Sequence, residues 1–181
     1  MFPAPSGANF HRAGFTLLEL LAVVGLIAIL SGLVVGVGRR AIETGKIARA
    51  KSEVAVLAAA LETYQRAYGD YPRTDDEAQL LQSLIGRRGP LNHALTGRAC
   101  IEAVKFTTAG SLDPFTNTST VLIDPWDQPY VYAFKSQTPW TNPGYVLYSI
   151  GPDGADSPTL LIGGFIDPVP PANVDNIYAN R

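Results

Sequence analysis

Cysteine and histidine are nearly missing from this chain. Cys100 is its single cysteine, so no disulfide can close within it and no cysteine-based zinc site can form. The two histidines, His11 and His93, stand far apart and offer no metal-ligand spacing. Basic residues are scarce in the second half, where 101–181 hold 3 Lys or Arg against 8 Asp or Glu, while 1–100 hold 11 against 8. An acidic C-terminal half argues against nucleic acid as a partner there. An enzyme would need a nucleophile with its base, a paired acid and base, or a metal cluster. His93 stands alone, Cys100 has no histidine beyond it, and the C-terminal carboxylates sit in turn contexts. Proline is absent from Phe15 to Gly69, so nothing there forbids one long helix.

Charge is missing too from Phe15 to Gly38, apart from Glu19. Twenty-four residues at helical rise make roughly 36 Å, enough to cross a bilayer core. Arg12 precedes this run, and Arg39 and Arg40 close it. A carboxylate inside such a span costs free energy and is a functional candidate by default. Beyond Arg40 the pattern turns amphipathic: Val54, Leu57, Leu61, Tyr64 and Tyr68 step by three and four along one helix face. Gly69-Asp70 and Pro72 stop it. A continuous helix would run about 80 Å. Gly32 and Gly36 form a small-xxx-small pair, open to two readings: close helix approach, or a local loosening beside Gly38. The 181 residues suit one small domain plus this membrane element.

The run Gly14-Phe15-Thr16-Leu17-Leu18-Glu19 resembles the class III signal of type IV pilins and type II secretion pseudopilins. Three further stretches are similar to the major pseudopilins: Tyr71-Pro72 after the helix, Asp124-Pro125-Trp126-Asp127-Gln128-Pro129-Tyr130, and Gly151-Pro152-Asp153-Gly154. True pilins usually close a C-terminal loop with two cysteines, which Cys100 alone cannot do. The resemblance implies that a prepilin peptidase cuts between Gly14 and Phe15 and methylates the new amine. It implies that Glu19 serves filament assembly, neutralising the N-terminal ammonium of a neighbouring subunit, with pairing inside one subunit as the alternative. Many relatives carry proline at the position of Gly36, which this chain lacks.

The implied organisation is α+β and pilin-like, a long N-terminal helix packed on a small antiparallel sheet. Residues 1–14 are the leader, 15–38 the transmembrane half of the helix, 39–70 its amphipathic soluble half, and 71–181 a periplasmic globular domain. Within that domain Glu77 to Ile85 reads as a short amphipathic helix. Residues 91–120 show no period and look like an insertion. Val131–Phe134 and Tyr145–Ile150 read as strands. Trp126 is expected as a core plug between sheet and helix, and Asp124 as a turn former. Residues 166–181, with three prolines, read as an extended or loosely docked end.

In relatives the GPDG loop binds calcium, which here implies Asp153, with Asp156 and Asp167, as metal ligands. Calcium takes six to eight or so oxygens, so carbonyls must help. The downstream acidic pair of the relatives is not found after Asp156, and a plain Pro-Asp-Gly turn stands as the other reading. The implied function is a structural subunit polymerising into the periplasmic pseudopilus of type II secretion. A minor pseudopilin, a type IV pilin subunit and a membrane-tethered enzyme are the alternatives. Its implied partners are the prepilin peptidase, further copies of itself, other pseudopilins, the inner-membrane assembly platform and the membrane.

Overall fold

A computed structural model describes residues 15–167 and 169–179, apart from the side chains of 33–39. The chain divides into two units, Met1–Ile42 and Glu43–Arg181. Helix α1, Leu17–Tyr68, contributes to both. Gly14 and the rest of the expected leader lie outside the described residues. The surroundings of Gly36 and Gly38 lie outside the described residues too, although their backbone belongs to α1.

In the first unit every described side chain from 15 to 32 is exposed. Phe15, Leu17 and Leu18 are 81%, 83% and 77% exposed, and the aliphatic residues that follow stand out on all sides. Among the described residues no helix is long and apolar enough to cross a membrane. The expected span 15–38 includes 33–39, whose side chains are outside that set.

In the second unit α1 buries one stripe. Ala50, Val54, Leu57, Ala60, Leu61 and Tyr64 are almost wholly covered, following the three-and-four spacing of the sequence. Tyr68 is half-buried and stacks on Tyr64 at 4.6 Å between ring centres. Helix α2, Glu77–Leu84, begins where Asp76 Oδ1 accepts the N–H groups of Ala78 and Gln79. It packs Leu80, Leu81 and Leu84 into the same core.

Strands β1 (Thr107–Thr108) and β2 (Leu122–Ile123) pair antiparallel. Strands β3 (Val131–Ala133), β4 (Val146–Ser149) and β7 (Ile177–Tyr178) form the principal sheet in the order β3-β4-β7. A hairpin of β5 (Leu160–Leu161) and β6 (Phe165–Ile166) stands apart as its own ladder. Buried tyrosines fill the space between sheet and helix, and several of their hydroxyls have acceptors. Tyr132 donates to Pro72 O at 2.8 Å and Tyr64 to Arg88 O at 2.8 Å. Tyr130 donates to Glu53, which Arg49 holds at 2.8 Å.

The stretch 91–120, expected as an insertion, is tied to the core: β1 pairs with β2, while Pro114 O and Phe115 O accept from Gln82 and Arg87. Two expectations are corrected here. Trp126 is half-buried rather than a core plug, because its Nε1–H reaches Glu43 at 2.8 Å and keeps the ring at the rim. The C-terminal end is not loosely docked. β7 completes the sheet, and Ala179 N–H donates to Leu147 O at 2.9 Å.

Candidate functional site

The described part of the processing motif begins at Phe15. Thr16 and Glu19 form a reciprocal cap on α1. Thr16 N–H and Oγ1–H both donate to Glu19 Oε2 at 3.0 Å, and Glu19 N–H donates to Thr16 Oγ1 at 3.2 Å. This is a capping box, with threonine before the first turn and glutamate at its third position. It satisfies amide donors that the first turn leaves without partners, a larger gain in apolar surroundings than in water. Glu19 therefore has a local partner in its own chain. Thr16 is the residue that sequence reading passed over, although the Thr-x-x-Glu spacing was there to find.

The second candidate site lies at the end of β4, in the other unit. Gly151 has φ +84, and a Cβ there would meet Asp175 O at 2.5 Å and Asp175 Oδ2 at 3.0 Å. Glycine thus lets the C-terminal segment come down onto the GPDG loop. Asp153 N–H donates to Asp175 Oδ2 at 3.1 Å, and Asp153 Oδ1 accepts from Ala155 N–H at 2.8 Å. Asp156 accepts from the Tyr148 hydroxyl at 3.0 Å and from Asn176 Nδ2 at 3.2 Å. Burial first, and then the Asp156 charge beside it, push the Tyr148 phenol far above its usual range, so it stays a donor.

Asp167 does not join this group. Its carboxylate closes its own turn on Val169 N–H at 3.0 Å, and its carbonyl takes Asn173 Nδ2 at 2.8 Å. The residues that arrive in its place are Asp175 and Asn176. Both carry a buried side-chain oxygen, Oδ1 in each case, with no hydrogen-bond partner among the described residues. A buried acceptor without a donor costs about 1–3 kcal/mol. Asp175 meets the loop through its Oδ2, which accepts from the Asp153 backbone N–H.

Among the described residues no three of His, Cys, Asp and Glu converge as a metal cluster. Calcium also takes amide and carbonyl oxygens, so two aspartates and an asparagine with backbone groups remain a chemically suitable set. Asp175 and Asn176 lie downstream of the GPDG loop, beyond the β5–β6 hairpin, and bring one carboxylate and one amide rather than an acidic pair. Sequence reading did not single out Asp175 or Asn176.

A long helix ending in an antiparallel sheet, with a methylation-type N-terminal motif, defines a pilin-like protein. The family described as type II secretion system protein G matches residues 39–159. The prokaryotic N-terminal methylation motif matches residues 9–35. The chain is 29% identical over 147 residues to "Type II secretion system core protein G" of Pseudomonas aeruginosa, covering 81% of this chain and 87% of that protein. No solved structure matches. The chain belongs to the type II secretion system protein G family, whose members are pseudopilins.

Proposed function

We propose that this chain is a structural subunit, cut between Gly14 and Phe15 by a prepilin peptidase and polymerised with further copies into a periplasmic pseudopilus. Residues 15–32 carry this reading: apart from Thr16, Glu19 and Ser31 they are apolar or glycine on every side of the helix, and all are exposed. Such a helix needs an apolar medium, which lipid supplies before assembly and neighbouring helices supply after it. The chain then sits in the inner membrane through a single N-terminal span, with 43–181 in the periplasm. The assembly platform and other pseudopilins are its partners.

Glu19 has two duties in this scheme. Within a subunit it caps α1 through Thr16. Between subunits it neutralises the Phe15 ammonium of the next copy, because opposite charges in a low-dielectric bundle attract strongly and either alone is costly. The role is structural rather than enzymatic. Asp153, Asp175 and Asn176 would hold calcium, tying the 151–156 loop to the C-terminal segment; Asp156 braces that segment through Asn176.

The test is intact mass and N-terminal sequencing of membrane-extracted protein, with and without prepilin peptidase, for wild type and Glu19→Ala. Both mature chains should begin at Phe15 wherever the peptidase is present, and only wild type should form filaments. A chain that keeps Met1 beside an active peptidase would sink the reading.

A further inference from the structure

The DPWxxPY turn, residues 124–130, has no part in processing or in the apolar run. It lends two side-chain donors to α1. Trp126 Nε1–H reaches Glu43 Oε1 at 2.8 Å, and the Tyr130 hydroxyl reaches Glu53 Oε2. The two glutamates stand at 43 and 53, roughly 15 Å apart along the helix axis. Asp124 braces the turn from behind, taking Trp126 N–H, Gln128 N–H and the Ser149 hydroxyl of β4. The two grips differ. Tyr130 is almost wholly buried, and Arg49 holds Glu53 a second time at 2.8 Å. Burial first, and then the bond to Glu53, keep this phenol far above its usual range, so it stays a donor. Glu43 and Trp126 are only half-buried, and no side chain of α1 between Glu43 and Ala50 is buried. Gly45 lies in that stretch, and glycine is the poorest helix former after proline. A rim bond competes with water and opens more readily than one in the core.

We propose that Trp126 is a positioning residue: with Glu43 it forms a releasable clasp at the outer end of the turn's hold on α1, while Tyr130 and Glu53 form the fixed end. Closed, the clasp holds α1 from Glu43 onward. Open, it leaves α1 held by Arg49, whose Nη2 donates to Thr107 Oγ1 at 2.8 Å, and by the buried stripe that starts at Ala50. The clasp therefore governs about two turns of helix, roughly 10 Å, at the start of the folded unit. Single copies carry it, so it stands or falls apart from the polymer proposed above.

The test is hydrogen exchange, read by mass spectrometry on the full chain in detergent. The chains are wild type, Trp126→Phe, Glu43→Ala, Glu43→Gln and the double variant Trp126→Phe with Glu43→Ala. Trp126→Phe keeps an aromatic ring and removes the donor, while Glu43→Gln keeps an acceptor. Amides of 44–49 should exchange about tenfold faster in Trp126→Phe and in Glu43→Ala, because the bond to a charged acceptor opposes local opening. The double variant should go no faster than either single one, since both remove the same bond. Glu43→Gln should stay near wild type. Amides of 54–64 should keep the wild-type rate throughout, whereas a loss of general stability would quicken both stretches alike. Unchanged exchange at 44–49 in both single variants would overturn the proposal. So would an equal rise at 54–64, which would make the bond one more support of the core.

Discussion

Leu26 and Leu61 lie on the same helix, yet Leu26 is 58% exposed and Leu61 is fully covered. The residue type and the helical backbone are shared, so the difference lies in what the rest of the chain supplies. Around Leu61 the sheet, α2 and the tyrosines provide a core. Around Leu26 no described residue provides cover. The two units therefore differ in what surrounds their apolar side chains, and a substitution tells them apart by which measurement it moves.

The largest separation should come from truncating those two leucines. Leu61→Ala removes a fully buried side chain and leaves a cavity, which costs about 2–5 kcal/mol. Urea unfolding of the full chain in detergent, followed by tryptophan and tyrosine fluorescence, should show that loss as an earlier midpoint. Leu26→Ala should leave the same midpoint in place. A comparable shift from both would mean that residues 15–32 contribute to the folded core, and the comparison would break.

This contrast also marks how far the sequence could be read. The buried stripe Val54, Leu57, Leu61 and Tyr64 was legible because each residue obeys one local rule, the 3.6-residue period. Helix α2 was legible to within one residue for the same reason. The pairing of Thr107 with Ile123 was not, since two-residue strands carry no alternation to detect. Nor was the docking of β7, because Ile177 and Tyr178 follow a proline-rich stretch that reads as loose. At the candidate sites, Asp153 and Glu19 were visible through their motifs. Asp175 and Asn176 were hidden by an intervening hairpin, a separation along the chain that Gly151 closes in space.

Carboxylates sharpen the comparison further. Asp124 is 2% exposed and takes three donors: Trp126 N–H at 2.9 Å, Gln128 N–H at 3.0 Å and the Ser149 hydroxyl at 2.6 Å. It holds the DPWxxPY turn closed against β4. Asp124→Ala leaves those donors buried and unpaired, at a cost of about 2–3 kcal/mol. Ser149→Ala, which removes one partner only, should cost about 1 kcal/mol. Thermal unfolding of both variants orders them. Glu19 is the opposite case: its carboxylate is exposed and caps a helix end in the other unit. If Asp124→Ala unfolds no earlier than Ser149→Ala, the turn is held by something other than this carboxylate.

The smallest effect concerns a charge at the rim of the folded unit. Asp70 Oδ2 accepts from Arg73 at 2.7 Å and from Lys135 at 2.9 Å, and Asp70 Oδ1 accepts from Tyr71 N–H at 3.1 Å. Burial alone would raise this carboxyl, but the bonds from Lys135 and then Arg73 outweigh it and hold it below the usual carboxylate range. The folded pKa lies below the unfolded one, so the stabilisation is complete above about pH 4. It is lost as pH falls through the lower, folded value. Both bridges are partly exposed, so Asp70→Asn should cost less than about 1 kcal/mol at neutral pH. Its signature is in the slope: across the acid range, the variant's stability should fall less steeply than wild type's, and the two should converge at low pH. Parallel acid profiles would mean that the Arg73 and Lys135 contacts are solvated in solution. The link from the end of α1 across to the loop after β3 would then rest on the Phe134 N–H bond to Thr74 O and on tyrosine packing alone.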